Sequence, residues 1–204
     1  MKLQTVLIFA ILILNGSCGE NEKPKKNEDV IKEMPNNYSK LYRNTVQFEI
    51  SQDTMLRQSF KAIKYDSIKA YDYIGFSGEH TFSVINDDGY LIDSSRIKKQ
   101  LTLSSEQAKR ITKTLGDIKT YEGTSGVGCY EPRLAFVYFL NNKVVGQVMI
   151  CLGCMKLEST ILLPNKEKYV SLGDIGRRRF SKFCSELEFS ECNHWGDKFW
   201  YMVF

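Results

Sequence analysis

The stretch GVGCYEPRLAFVYFLNNKVVGQVMICLGCM, residues 126–155, constrains what this chain can fold into more than any other. Two arms rich in β-branched and aromatic residues flank Asn141-Asn142, a pair suited to the left-handed backbone of a tight hairpin turn. With a two-residue turn there, Leu140 faces Lys143. Carried down the arms, that register sets Cys129 opposite Cys154 and Pro132 opposite Cys151. A bulge or a longer turn shifts the pairing by one or two places. Cross-strand neighbours lie about 4.5–5.5 Å apart at Cα, inside the range a disulfide accepts. Cys151 and Cys154 are three residues apart. In an extended strand that means about 10 Å and opposite faces, so a bridge between them needs a turn, which Gly153 permits.

Three readings of these cysteines stay open. A staple joins Cys129 to Cys154 or to Cys151, as suits an exported chain. Alternatively, all three remain thiols and pack as small hydrophobes. In the third reading Cys129, Cys151 and Cys154 run thiol redox chemistry or, with Met149, bind a soft metal, Cu(I) or Zn. Met149-x-Cys151-x-x-Cys154 resembles the M-x-C-x-x-C loop of copper chaperones, although there the string opens a helix and here a strand runs into it. A zinc site wants four ligands, and neither a second CxxC pair nor a neighbouring His is visible. Met155 stands where c-type haem attachment requires His. Cys184 and Cys192 form a second candidate pair if the chain turns back after Phe189. Setting Cys18 aside, five cysteines remain, so at least one has no intramolecular partner when the others pair.

The chain opens MKLQTVLIFAILILNGSCGENEKPKKNE. Lys2 and the apolar run Leu3–Leu14 read as a secretory signal over 1–17, too short at about 1.5 Å per residue to cross about 30 Å of hydrocarbon. Leu14-Asn15-Gly16-Ser17-Cys18 resembles a bacterial lipobox, with the leucine one place further from the cysteine than is usual. The resemblance implies that Cys18 becomes the first mature residue and carries a thioether-linked diacylglycerol, with a further palmitate-type acyl chain for stable attachment. Residues 18–38 are then the lipidated cysteine and a flexible tether, too poor in apolar surface to offset ordering. Residues 39–204 form the globular domain.

Removing 1–17 takes away one Lys and no acid, leaving 27 basic against 24 acidic residues. So mild and evenly spread a charge gives no reason to expect a nucleic-acid partner. The one basic cluster, Arg177-Arg178-Arg179, reads as a solvated helix face.

Along the domain, 41–60 shows no clear period. SIKAYDYIGF (67–76) reads as a strand, and HTFSVINDDGYLID (80–93) as two strand-like arms around an Asn86–Gly89 turn. LSSEQAKRITKTLGD gives the clearest helix, about 104–116. Ser104 and Gln107 form a capping box, Leu103 staples against Ala108, and Ala108, Ile111 and Leu115 make the buried stripe, with Gly116 as the stop. KLESTILLP reads as a strand ending at Pro164. A second helix, about 171–188, starts at a Ser171 cap and buries Leu172, Ile175, Phe183 and Leu187 beside Phe180, although Gly173 and Gly176 weaken its first turns. The aromatic tail HWGDKFWYMVF suggests an edge strand. Several strands with two separated helices predict a single α+β domain built on a mainly antiparallel sheet.

CYEPR at 129–133, the hairpin, and ICLGC at 150–154 together resemble a group of uncharacterised exported lipoproteins of Bacteroidota-like bacteria. These share a C-[YF]-x-P-R…I-C-x-x-C pattern between an LSxxQ helix and a G…R…FC helix. The resemblance implies recurrent roles for Cys129, Pro132, Arg133, Cys151 and Cys154, and no activity. Arg133 is a candidate ligand contact for a carboxylate, or the partner of Glu131. GTSGVG (123–128) lacks the Lys-Ser/Thr of a phosphate-binding loop, and His80 and His194 stand without a nucleophile motif. The expectation is therefore a non-catalytic binding or structural domain. It is exported and held at the outer membrane or cell surface by its lipid. A soft-metal or thiol-redox protein is the alternative.

Overall fold

In the computed structural model, described residues are 41–42, 46–51, 58–78, 80–123, 129–165 and 167–192. The signal segment, Cys18, the tether, His194 and the aromatic tail expected as an edge strand all lie outside them. So does most of the glycine-rich loop.

The domain is α+β, as its pattern predicts. A six-stranded antiparallel sheet runs β4-β1-β5-β6-β7-β8, made of β1 (Ser67–Tyr73), β4 (Ile97–Thr102), β5 (Leu134–Leu140), β6 (Lys143–Cys151), β7 (Lys156–Ser159) and β8 (Tyr169–Ser171). A small ribbon pairs β2 (Phe76–Ser77) with β3 (His80–Thr81). Among the described residues the two long helices are α1 (Ser105–Leu115) and α2 (Asp174–Glu186), with 3₁₀ turns at Ser94–Arg96 and Ile118–Thr120.

Nearly every side chain of β5 and β6 is buried. Strands covered on one face alternate, while strands covered on both read as continuous apolar runs. One layer packs Ile68, Ala70, Phe136, Val148 and Ile150 with Ile111, Leu115, Phe180 and Phe183 of the helices. The opposite layer packs Tyr71, Tyr73, Val137, Phe139 and Met149 with Tyr42, Val84, Ile85 and Ile92. Leu41, Tyr42, Phe48 and Ile50, in a stretch whose role no period reveals, help cover that second face, with bridges Gln47↔Tyr90 and Ile50↔Val144.

Asn141 (φ 52°) and Asn142 (φ 62°) make the two-residue turn. Leu140 faces Lys143 as expected, but a bulge between Tyr138 and Phe139 moves the remaining pairs by one, so that Leu134 faces Ile150. The α1 capping box is present: Ser104 Oγ accepts the Gln107 N–H at 3.2 Å and Gln107 Oε1 accepts the Ser104 N–H at 2.9 Å.

Four local expectations need correction. Ser171 caps nothing; it ends β8, and α2 begins at Asp174 after Gly173. Leu172 is buried ahead of the helix and Ile175 is 37% exposed. The reason lies in two glycines, because a Cβ on Gly173 or Gly176 would run into the carbonyls of Glu122 and Thr120. Close approach to that loop fixes both the start and the rotation of α2. Arg177 is accordingly buried, while Arg179 pairs with Asp117 at 2.7 Å, so the three arginines are not one solvated face. The strand from Lys156 stops at Ser159, after which Ile161 and Leu163 are buried without continuing the ladder. Finally, the Asn86 turn forms, with Asn86 Oδ1 accepting the N–H groups of Asp88 and Tyr90, but its arms meet only through the Ile85↔Leu91 bridge.

Candidate functional site

β6 runs straight into a tight turn over 152–155, held by Met155 N–H donating to the Leu152 carbonyl (3.4 Å) with Met155 at φ 53°. The positive φ falls on Met155, not on Gly153. The turn folds Cys154 back on Cys151, so that the Cys154 N–H donates to Cys151 Sγ at 3.0 Å. The segment before β5 continues the sheet pairing: Arg133 N–H donates to the Ile150 carbonyl, while Tyr73 and Gly75 donate to the carbonyls of Arg133 and Pro132. This pairing brings Cys129 Sγ to 2.7 Å from Cys154 Sγ. All three cysteines of the hairpin meet, with Cys154 between the other two.

Their surroundings differ. Cys129 is exposed, whereas Cys151 and Cys154 are each 3% exposed. The hydrogen bond from the Cys154 thiol lowers the Cys151 pKa, helped by the backbone amides of Glu131 and Cys154 and opposed by burial. The same hydrogen bond, with burial, raises Cys154. Partial desolvation and then Cys154 push Cys129 up to about 11. Tyr130 walls the site, donating to the Met149 carbonyl at 3.1 Å and meeting the Tyr169 ring edge-on at 5.0 Å.

The residues do not fit a metal ion as placed. Tetrahedral zinc with Zn–S of about 2.3 Å holds its sulfurs about 3.8 Å apart, against 2.7 Å between Cys129 and Cys154. Among the described residues no group of three or more His, Cys, Asp or Glu side chains is arranged for a metal. Met149 packs in the second apolar layer with Tyr71, Ala135 and Val137.

Arg133 is engaged by protein. Its guanidinium pairs with Glu191, reaches Glu131 at 3.8 Å and lies over the Phe76 ring at 4.8 Å. Beside it, Cys184 and Cys192 form a disulfide with Cα atoms 6.2 Å apart. The chain does turn back there, and Asp72 holds the return. Its carboxylate accepts the N–H groups of Ser190 (2.6 Å), Glu191 (3.0 Å) and Cys192 (3.1 Å). Sequence reading missed Asp72 and Glu191. An acid inside the apolar run SIKAYDY is the signal that pointed to one of them.

His80 lies exposed in β3, remote from any nucleophile arrangement visible in the sequence. Among the described residues, cavities also lie elsewhere. One of about 470 Å³ is lined by Phe60, Lys61, Asp117, Ile118, Leu163 and Pro164, and one of about 250 Å³ by Arg110, Arg179, Lys182 and Glu186 among others. Set against known proteins, the chain matches no family model, no curated protein and no solved structure.

Proposed function

We propose that this is an exported bacterial lipoprotein, anchored in the cell envelope through Cys18, whose α+β domain binds or supports a partner at the membrane. The observation that carries the anchor is the apolar run ending at Gly16-Ser17-Cys18, followed by a charged tether. The Cys184–Cys192 bridge supports an oxidising compartment, since structural disulfides persist outside the reducing cytosol. Intact-mass analysis of the N-terminal peptide tests this reading. An acylated Cys18 as first residue is expected; an unmodified terminus, or one starting elsewhere, overturns it.

A second reading, thiol–disulfide chemistry at Cys129, Cys151 and Cys154, is favoured by one observation. The sulfurs of Cys129 and Cys154 lie inside ordinary non-bonded contact, and the sulfur of a third cysteine, Cys151, accepts the Cys154 N–H. A staple needs two cysteines. The third is surplus to it.

A further inference from the structure

The geometry points to a two-position disulfide in which Cys154 is the shared partner of Cys129 and Cys151, and exchange between the pairings passes oxidising equivalents from an external disulfide to a buried bridge. This deepens the thiol-exchange reading and rests on it; the lipid anchor has no part in it.

Placement assigns the roles. Thiol–disulfide exchange is attack of a thiolate on a disulfide sulfur, so it demands access at one end and adjacency at the other. Cys129 is the one exposed thiol of the three. Cys154 touches it at 2.7 Å and is itself buried. Cys151 lies one turn back, close enough for its sulfur to accept the Cys154 N–H. The turn over 152–155 that follows Cys151 is what folds the two together, and the Cys154 amide nitrogen lies 3.0 Å from the Cys151 sulfur. Both pairings of Cys154 are thus local, and neither requires the sheet to move. The Glu131 and Cys154 amides lie by the Cys151 sulfur and favour its thiolate, the form that attacks.

The chemistry balances in three steps. Cys129 thiolate attacks an external disulfide R–S–S–R, forming a Cys129–S–R mixed disulfide and releasing R–S⁻, which takes up the Cys129 proton. Cys154, its thiol proton passing to the neighbouring Cys151 thiolate, attacks the Cys129 sulfur; the Cys129–Cys154 bond forms, and the second R–S⁻ leaves with the proton that Cys151 had given up. So far two thiols have lost two electrons and two protons to one external disulfide. Cys151 thiolate then attacks Cys154, forming Cys151–Cys154 and expelling Cys129 as a thiolate that takes the Cys151 proton. This last step is an isomerisation and needs no oxidant. It buries the bridge and restores the exposed thiol.

The test uses the detergent-extracted full chain, reduced, freed of reductant, then exposed in separate arms to oxidised glutathione and to a folded disulfide-bonded protein. Acid quenching, alkylation and peptide mapping follow the bridges over time. In either arm the expected course is a Cys129–Cys154 bridge first and Cys151–Cys154 later, with Cys129 becoming alkylatable again. In Cys129→Ser, at an exposed position that leaves the fold alone, formation of the inner bridge is lost or greatly slowed. In Cys151→Ala the bridge stays at Cys129–Cys154, and the wild-type time course decides the matter if that variant does not fold. A wild-type bridge that never leaves Cys129–Cys154 overturns the relay while leaving a thiol staple. An inner bridge that forms as fast in Cys129→Ser as in wild type overturns the entry role of Cys129. Cys129 taking neither an adduct nor a bridge overturns the thiol-exchange reading itself.

Discussion

The two sulfur centres of this domain are built on opposite plans. Cys184 and Cys192 are wholly buried in the helix-side core, bridged to each other, and backed by the Asp72 carboxylate that gathers three N–H groups of the returning chain. The hairpin centre has an odd number of thiols, a tight turn at its middle and one exposed member. The difference teaches that what surrounds a cysteine decides whether it is closed or open to exchange. A pair sealed among apolar side chains and capped by a fixed carboxylate has nothing to exchange with. A triplet at the end of a strand presents one exposed thiol, Cys129, to the outside.

The comparison breaks most sharply at Asp72. Asp72→Ala leaves the N–H groups of 190–192 without their acceptor in a buried place, an expected loss of about 3–5 kcal/mol, read by urea unfolding. If the variant stays within the error of wild type, the carboxylate does not hold the closed centre. Next comes Cys184→Ala with Cys192→Ala. Their eight-residue separation closes a short loop, worth about 2–3 kcal/mol on the chain-entropy account, and wild type in reductant should lose a similar amount. Arg133→Met removes the Glu191 pair and the contact with Phe76 at the join between the two centres. Because the group is largely shielded, about 1–2 kcal/mol is expected, and thermal melts of both proteins measure it. At the open centre Cys129→Ser should change stability under reducing conditions by less than about 0.5 kcal/mol. A loss as large as that of the closed pair would make Cys129 structural and erase the contrast.

The antiparallel character of the sheet, the central hairpin and α1 were legible because each rests on local signals that nothing overrides: Asn141-Asn142 for the turn and Ser104 with Gln107 for the cap. Hairpin register, as counted, set Cys129 opposite Cys154, but the bulge at Tyr138 breaks that count before it reaches the cysteines. Instead the sulfurs meet because β6 turns at 152–155. The parts that were not legible depend on distant neighbours. Gly173 and Gly176 read as helix weaknesses until Glu122 and Thr120 occupy the space their side chains would need. Ser171 looks like a cap only while β8 beside β7 is unknown. Asp72 gives no hint of its partners, which lie more than a hundred residues on.

The most direct test of the contrast between the centres is a disulfide map of the full chain isolated from its host without added reductant. The expected map has Cys184–Cys192 bridged in every molecule, while Cys154 is shared between Cys129 and Cys151, with one thiol of that triplet always free. A bridge linking the two centres, such as Cys151 to Cys192, or a triplet with no bridge in any molecule, contradicts the account.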